Sequence, residues 1–201
     1  MLKKTKVERR TSNDQQIINL VTYIKKYKPF LLFLAKFFVY YVLLTAVYQL
    51  YLSGYDEAAN EVDSITHSVA IQSEALLQTV GDAKMDKHPA QPSMRLFYQN
   101  HYVARIIEGC NAISVMILFA AFVVAFSGKP KQTVFFILGG SVIIHILNIV
   151  RIALLCILIH NFPQHEHFLH GVIFPLIIYG VVFILWVIWV NKFSHYAKAA
   201  R

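Results

Sequence analysis

The chain has 201 residues, enough for one compact domain, and 57% of them are hydrophobic, above the roughly 45–50% usual in soluble domains. A soluble fold of this size would struggle to hide that much apolar surface, which argues against a water-soluble globule. The formal net charge of +8 would suit a nucleic-acid binder. Here, though, the cations cluster at the edges of apolar runs, where the positive-inside rule accounts for them, so the expected partner is the lipid bilayer and no nucleic acid.

Residues 1–29 read as a cytoplasmic basic segment. Lys3, Lys4, Lys6, Arg9, Arg10, Lys25, Lys26 and Lys28 outnumber Glu8 and Asp14. Residues 1–12 are polar and read as disordered. Over 14–28, Ile17, Val21 and Ile24 share one helical stripe, which suits a short helix lying on the inner membrane surface; a plain basic anchor is an equal alternative. No small-residue cleavage pattern follows the first apolar run, so a removable signal peptide is not expected.

The first span is expected over 30–52. Lys36 lies near its cytoplasmic end, where its ammonium snorkels to the interface. Tyr40, Tyr41, Tyr48 and Tyr51 fit interfacial or packing roles. Residues 53–108 form an extracytoplasmic segment, acid-rich up to Asp86. Within it, Val62, Ile65, Val69, Leu76 and Val80 predict an amphipathic helix over 58–80. Residues 81–93, with Pro89 and Pro92, read as a loop. Met94, Leu96 and Tyr98 alternate with Arg95, Phe97 and Gln99, as in a short extended segment.

Residues 109–191 carry three more apolar runs, at 111–127, 134–159 and 169–190. With 30–52 these approach or exceed the roughly 17–25 residues that cross a bilayer core. Lys129 and Lys131 between the second and third runs, and Lys192, Lys198 and Arg201 in a cytoplasmic tail over 192–201, place both termini inside. The expected fold is an all-α integral membrane protein of about four transmembrane helices, N-in and C-in, with an amphipathic helical outer segment between spans one and two. Gly139-Gly140 permits close helix packing, and Pro163 ends span three. Cys110 and Cys156 read as free thiols, since a disulfide needs close and specific geometry.

This topology brings three chemically capable side chains to the outer side. Cys110 opens span two, Arg151 lies in the outer half of span three, and His170 opens span four. A thiol in a first helical turn, near a cation, is favoured as thiolate. An imidazole can take its proton and later protonate a leaving amine. A guanidinium stays charged and can steady the thiolate or an oxyanion. Each also has a plainer reading: Cys110 as a packing residue, Arg151 paired with Glu108 or capping carbonyls, His170 as an interfacial histidine. Asn148, one turn before Arg151, orients its guanidinium or glues helices. Glu108 tunes Cys110 or Arg151, or is solvated. His145 reads as packing.

The order Glu108-Gly109-Cys110-Asn111, then Asn148-Ile149-Val150-Arg151-Ile152, then His170-Gly171 resembles the exosortase/archaeosortase family over about residues 105–175. The basic N-terminus and small size are most similar to its short exosortase F subgroup. The resemblance implies a cysteine transpeptidase or protease of the bacterial inner membrane, with its active site facing the periplasm. It would cleave C-terminal sorting signals of exported proteins, each a short motif, a membrane helix and a basic tail. The new carboxyl end would pass to an acceptor nucleophile, unknown from sequence, with no metal or organic cofactor. Cys110, Arg151 and His170 match the family's catalytic residues, and Asn111 follows the nucleophile. Many relatives carry Cys-Ser-Gly or Cys-Asn-Gly where this chain has Cys110-Asn111-Ala112.

Two other readings compete. His160, His165, Glu166, His167 and His170 crowd one outer loop, and imidazoles bind zinc or copper, which suggests metal binding or transport. A non-enzymatic membrane scaffold explains the apolar runs but leaves Arg151 without a purpose.

Overall fold

The computed structural model describes residues 2–194, with the main chain alone for 2–26 and for Glu57. The side chains of the basic cluster before Tyr27 therefore lie outside the described residues, as does the expected tail from residue 195 onward.

Helix α1 runs from Leu2 to Leu52, through Pro29. A disordered 1–12 and a separate surface helix over 14–28 were the expectation; the main chain is instead helical without a break into the first span. The apolar part, Tyr27–Leu52, is exposed along most of its length. Its N-terminal third packs on the end of α3 (Ile113–Ala125), where the Phe33 ring centroid lies 4.3 Å from Phe126 and 5.6 Å from Phe122. Lys36 Nζ donates to Ser127 Oγ at 3.1 Å, so Lys36 fastens the turn after α3.

Among the described residues three helices are long and apolar enough to cross a bilayer: Tyr27–Leu52, α4 (Pro130–Asn161) and α5 (Pro163–Phe193). Helix α3, with 13 residues, rises only about 20 Å, short of a hydrocarbon core of about 30 Å. Phe119 and Val123 of α3, Ile144 of α4 and Val182 and Trp189 of α5 form one buried cluster. The Phe122 and Trp186 rings stack at 4.2 Å.

The outer segment departs from the all-α expectation. Helix α2 (Ser64–Gln78) lies within the predicted 58–80. It starts later because Asp63 caps it, accepting from Ile65 N at 3.0 Å and Thr66 N at 2.9 Å, which satisfies two of the open amides of its first turn. Then follows a three-stranded antiparallel sheet in the order β1 (Ala83–Lys87), β2 (Met94–Tyr98), β3 (His101–Ile106). Strand β2 matches the extended segment read from its alternation. Strand β1 occupies what reads as loop: Ala83 and Met85 are buried while Lys84 and Lys87 are exposed and Asp86 is half-buried, and five residues with three charges carry too little apolar signal. Asp86 pairs with Arg95 across the strands at 2.7 Å.

Strands β2 and β3 join through Gln99 and Asn100, both with positive φ (49° and 63°), as a two-residue hairpin of type I′ requires. Tyr98 pairs with His101, Phe97 with Tyr102, and Leu96 with Ala104. Val103 is thus an extra residue, a bulge that bends β3. The inward face of the sheet, with Val69, Ala70 and Leu77 of α2, packs on Ile152, Ala153 and Cys156 of α4. His160, near the end of α4, meets Tyr98 edge-on at 5.4 Å and bonds Gln99 Oε1 at 3.0 Å. The upper third of α4 is therefore the post on which the sheet is mounted.

Of the two adjacent glycines, only Gly140 is a packing residue. A Cβ there would run into the Phe119 ring, which is fully buried, while one at Gly139 meets nothing within 4 Å. Gly140→Ala should cost about 1–3 kcal/mol through overpacking and Gly139→Ala close to nothing, read as the difference in thermal unfolding midpoint of the two variants in detergent.

Candidate active site

Cys110 ends a short 3₁₀ turn, Glu108–Cys110, between β3 and α3. Its thiol is half-buried and free. Two buried amides fix the turn. Asn148 of α4 donates Nδ2 to the Cys110 carbonyl at 2.7 Å. Asn111 donates Nδ2 to Tyr48 Oη at 2.8 Å and Thr66 Oγ1 at 3.1 Å, while its Oδ1 accepts from Ile113 N at 2.9 Å. The turn is so tied to α1, α2, α4 and the start of α3. Glu108 lies beside the Tyr48 hydroxyl and makes no ion pair with Arg151 among the described residues.

Ala112 sits at φ 64° and ψ 8°. This left-handed conformation costs an L-residue roughly 1–2 kcal/mol and glycine very little. The departure noted in the sequence is therefore a strained alanine in an otherwise buried joint.

Arg151 is one turn above Asn148 on α4, and its Nη1 lies 3.4 Å from Asn148 Oδ1, a long contact. Its Nε is buried with no hydrogen-bond partner among the described residues, and no carboxylate comes within ion-pair distance. A guanidinium left partly unsatisfied retains capacity for an anion or a carbonyl oxygen beside it.

His170 stands in a π-helical turn, Leu169–Ile173, near the start of α5, and is exposed. Cys110, Arg151 and His170 line one cavity of about 450 Å³. Its walls are β3, the Cys110 turn, the C-terminal half of α4 and the start of α5, including Glu166. No hydrogen bond joins the three side chains to one another among the described residues. A second hollow of about 520 Å³, between Tyr55, α2 and β1, contains none of the predicted residues.

Asn148 and Asn111 thus act on the turn rather than lining the cavity. His145, read as packing, bonds Gln72 Oε1 of α2 at 2.7 Å. Thr66 and Tyr48 escaped the sequence reading as partners of the site. The signal for Thr66 is its place on the inward stripe of α2 with Val69, Ala70, Ser73 and Leu77, where a hydroxyl interrupts the apolar period. The outer-loop histidines do not converge: among the described residues no three His, Cys, Asp or Glu side chains could hold a metal ion.

The chain matches the family model described as transmembrane exosortase (Exosortase_EpsH) over residues 27–190. The protein belongs to the transmembrane exosortase family, whose members are generally membrane cysteine transpeptidases acting on C-terminal sorting signals of secreted proteins. It is a multi-pass membrane protein. No curated protein and no solved structure matches it.

Position 112 gives a direct test of the backbone reading. Ala112→Gly should be neutral or stabilising by up to about 1 kcal/mol, since relief of strain opposes loss of one buried methyl. Ala112→Val should destabilise by more than about 1 kcal/mol, because a β-branched residue is an outlier at positive φ. Thermal midpoints in detergent order the three proteins.

Proposed function

We propose that the protein is a cysteine transpeptidase or protease of the bacterial inner membrane, of the exosortase F type, that cleaves C-terminal sorting signals of exported proteins at the periplasmic face. The observation that carries this reading is the shared cavity. Three segments far apart in sequence each contribute one side chain to it, and those are a thiol, a guanidinium and an imidazole.

The membrane register agrees with the proposal. With Lys129 and Lys131 at the cytoplasmic surface, Arg151 lies about 31 Å along α4 from Pro130, roughly one hydrocarbon thickness. The cavity then opens at the outer interface, and the rest of α4 stands in the periplasm under the sheet. Helix α3 can be short because the turn it starts from is tied to Asn148, about 27 Å above Pro130, rather than to the top of α4. Together with its flanking turns it makes the fourth crossing, giving N-in and C-in.

In the proposed reaction His170 takes the Cys110 proton and the thiolate attacks the scissile carbonyl carbon. The carbonyl oxygen gains the negative charge, which Arg151 stabilises. Collapse of the tetrahedral species breaks the C–N bond, His170 returns its proton to the leaving amine, and an acyl-thioester remains on Cys110. An amine acceptor or water then attacks the thioester and frees the thiol. Alignment of thiol and imidazole tightens when a substrate helix docks, since catalytic hydrogen bonds are often long without substrate.

In cells, Cys110→Ala and His170→Ala should each lower processing of exported proteins bearing a C-terminal motif, helix and basic tail by roughly a thousand-fold or more, with membrane insertion intact. Arg151→Lys should also fail, because a point charge does not reproduce the planar fork. Size and C-terminal mass of the exported proteins read the result, and wild-type processing in Cys110→Ala removes the thiol from the chemistry.

A further inference from the structure

Strand β3 ends the sheet, and its outer edge has no strand partner. Among the described residues nothing outside β2 bonds to the main chain of Tyr102–Ile106. Yet every residue from Tyr102 to Ile106 lines the cavity that holds Cys110. Side chains alternate between faces along a strand, so one face alone could supply only every second residue. An unbroken run of lining residues means that the cavity looks onto the strand's edge, where main-chain N–H and C=O groups are presented. The pairing fixes at least one of them. Tyr98 and His101 close a two-residue turn and exchange hydrogen bonds, so the next pair turns outward, and Tyr102 offers its N–H and C=O to the cavity.

Direction follows from what surrounds β3. The hairpin before it sits against His160, near the outer end of α4, and the turn after it is bonded to Asn148. From His160 to Asn148, α4 descends about 18 Å, and β3 with its following turn descends beside it. A polypeptide that reaches the cavity from outside and continues into the membrane as a helix travels the same way.

We propose that an extended segment of the substrate polypeptide adds to β3 as a fourth, parallel strand, and that this main-chain register delivers the scissile carbonyl to Cys110. The proposal rests on the cysteine-enzyme reading above. It makes the edge a measure of distance along the peptide: strand spacing of about 3.3 Å per residue sets which bond meets the thiol, whatever side chains the peptide carries. Only another extended backbone offers the matching alternation of donors and acceptors, which makes a peptide the occupant rather than a lipid.

Two experiments test it on the full-length protein in its native membrane. The probe is an exported protein whose C-terminal processing is lost in Cys110→Ala. First, Tyr102→Pro removes the outward N–H, whereas Tyr102→Ala removes the side chain and keeps it. Processing in Tyr102→Pro should fall at least ten-fold below that in Tyr102→Ala. Equal activity of the two overturns strand addition while leaving the cysteine reading standing. Second, a proline that disturbed the sheet would mislead, so disulfide trapping is run in a Cys110→Ala background. Tyr102→Cys, or separately Arg105→Cys, is combined with single cysteines placed along the substrate segment before its membrane helix. Strand addition gives crosslinks at alternate substrate positions, with the Arg105→Cys set displaced toward the substrate's C-terminus. Crosslinks with a helical period, the reverse displacement, or disulfides joining two copies of the enzyme through Tyr102→Cys each overturn it. Absence of any exported protein whose processing depends on Cys110 removes the cysteine reading and the strand proposal together.

Discussion

The hydrogen bond from Asn148 to the Cys110 carbonyl is the constraint on which the arrangement depends. A carbonyl in a tight turn cannot join a helix or a sheet, and an unpaired buried carbonyl costs about 1–3 kcal/mol. The Asn148 amide, wholly buried on α4, supplies the missing donor. Asn111 repeats the device on the other side of the turn, reaching Tyr48 on α1 and Thr66 on α2. A polar pair of this kind contributes little net stability by area, but its loss leaves several buried groups unpaired at once. It therefore determines where the turn sits more than how strongly the protein folds. The thiol, the start of α3 and the end of β3 inherit their positions from it.

The second constraint is the length of α4. Its 32 residues rise about 48 Å, well beyond a bilayer's apolar core. The excess is not idle. Ile152, Ala153 and Cys156 bury the inner face of the sheet, and His160 receives the β2–β3 hairpin. One helix thus combines a length sufficient to span a bilayer with residues that complete the core under the sheet.

The long apolar runs were legible in the sequence because bilayer-scale hydrophobicity is a strong and local signal. Cys110 and His170, reactive residues at the edges of such runs, and Arg151, a costly cation within one, could also be picked out, and all three line one cavity. The sheet was only half legible. Strand β2 shows itself through Met94, Leu96 and Tyr98, whereas β1 buries just Ala83 and Met85 among charges, and β3 follows a turn of Gln99 and Asn100 without glycine. The site's supports were less legible still. Tyr48 reads as one aromatic among many along α1, and Thr66 as a polar interruption of an apolar stripe. Their value lies in one contact with Asn111 that no periodicity reports.

The π-helical turn at Leu169–Ile173 has a consequence for how such a site can vary. A π-turn is an α-helix carrying one residue more than its pitch accommodates, and each residue in a helix turns the chain by about 100°. Were the surplus residue deleted between His170 and Phe174, the imidazole would swing by roughly a quarter-turn while the apolar face of α5 below kept its packing. The angular bearing of His170 is thus decoupled from the bundle beneath it. Insertions and deletions between His170 and the bundle steer the imidazole in coarse angular steps.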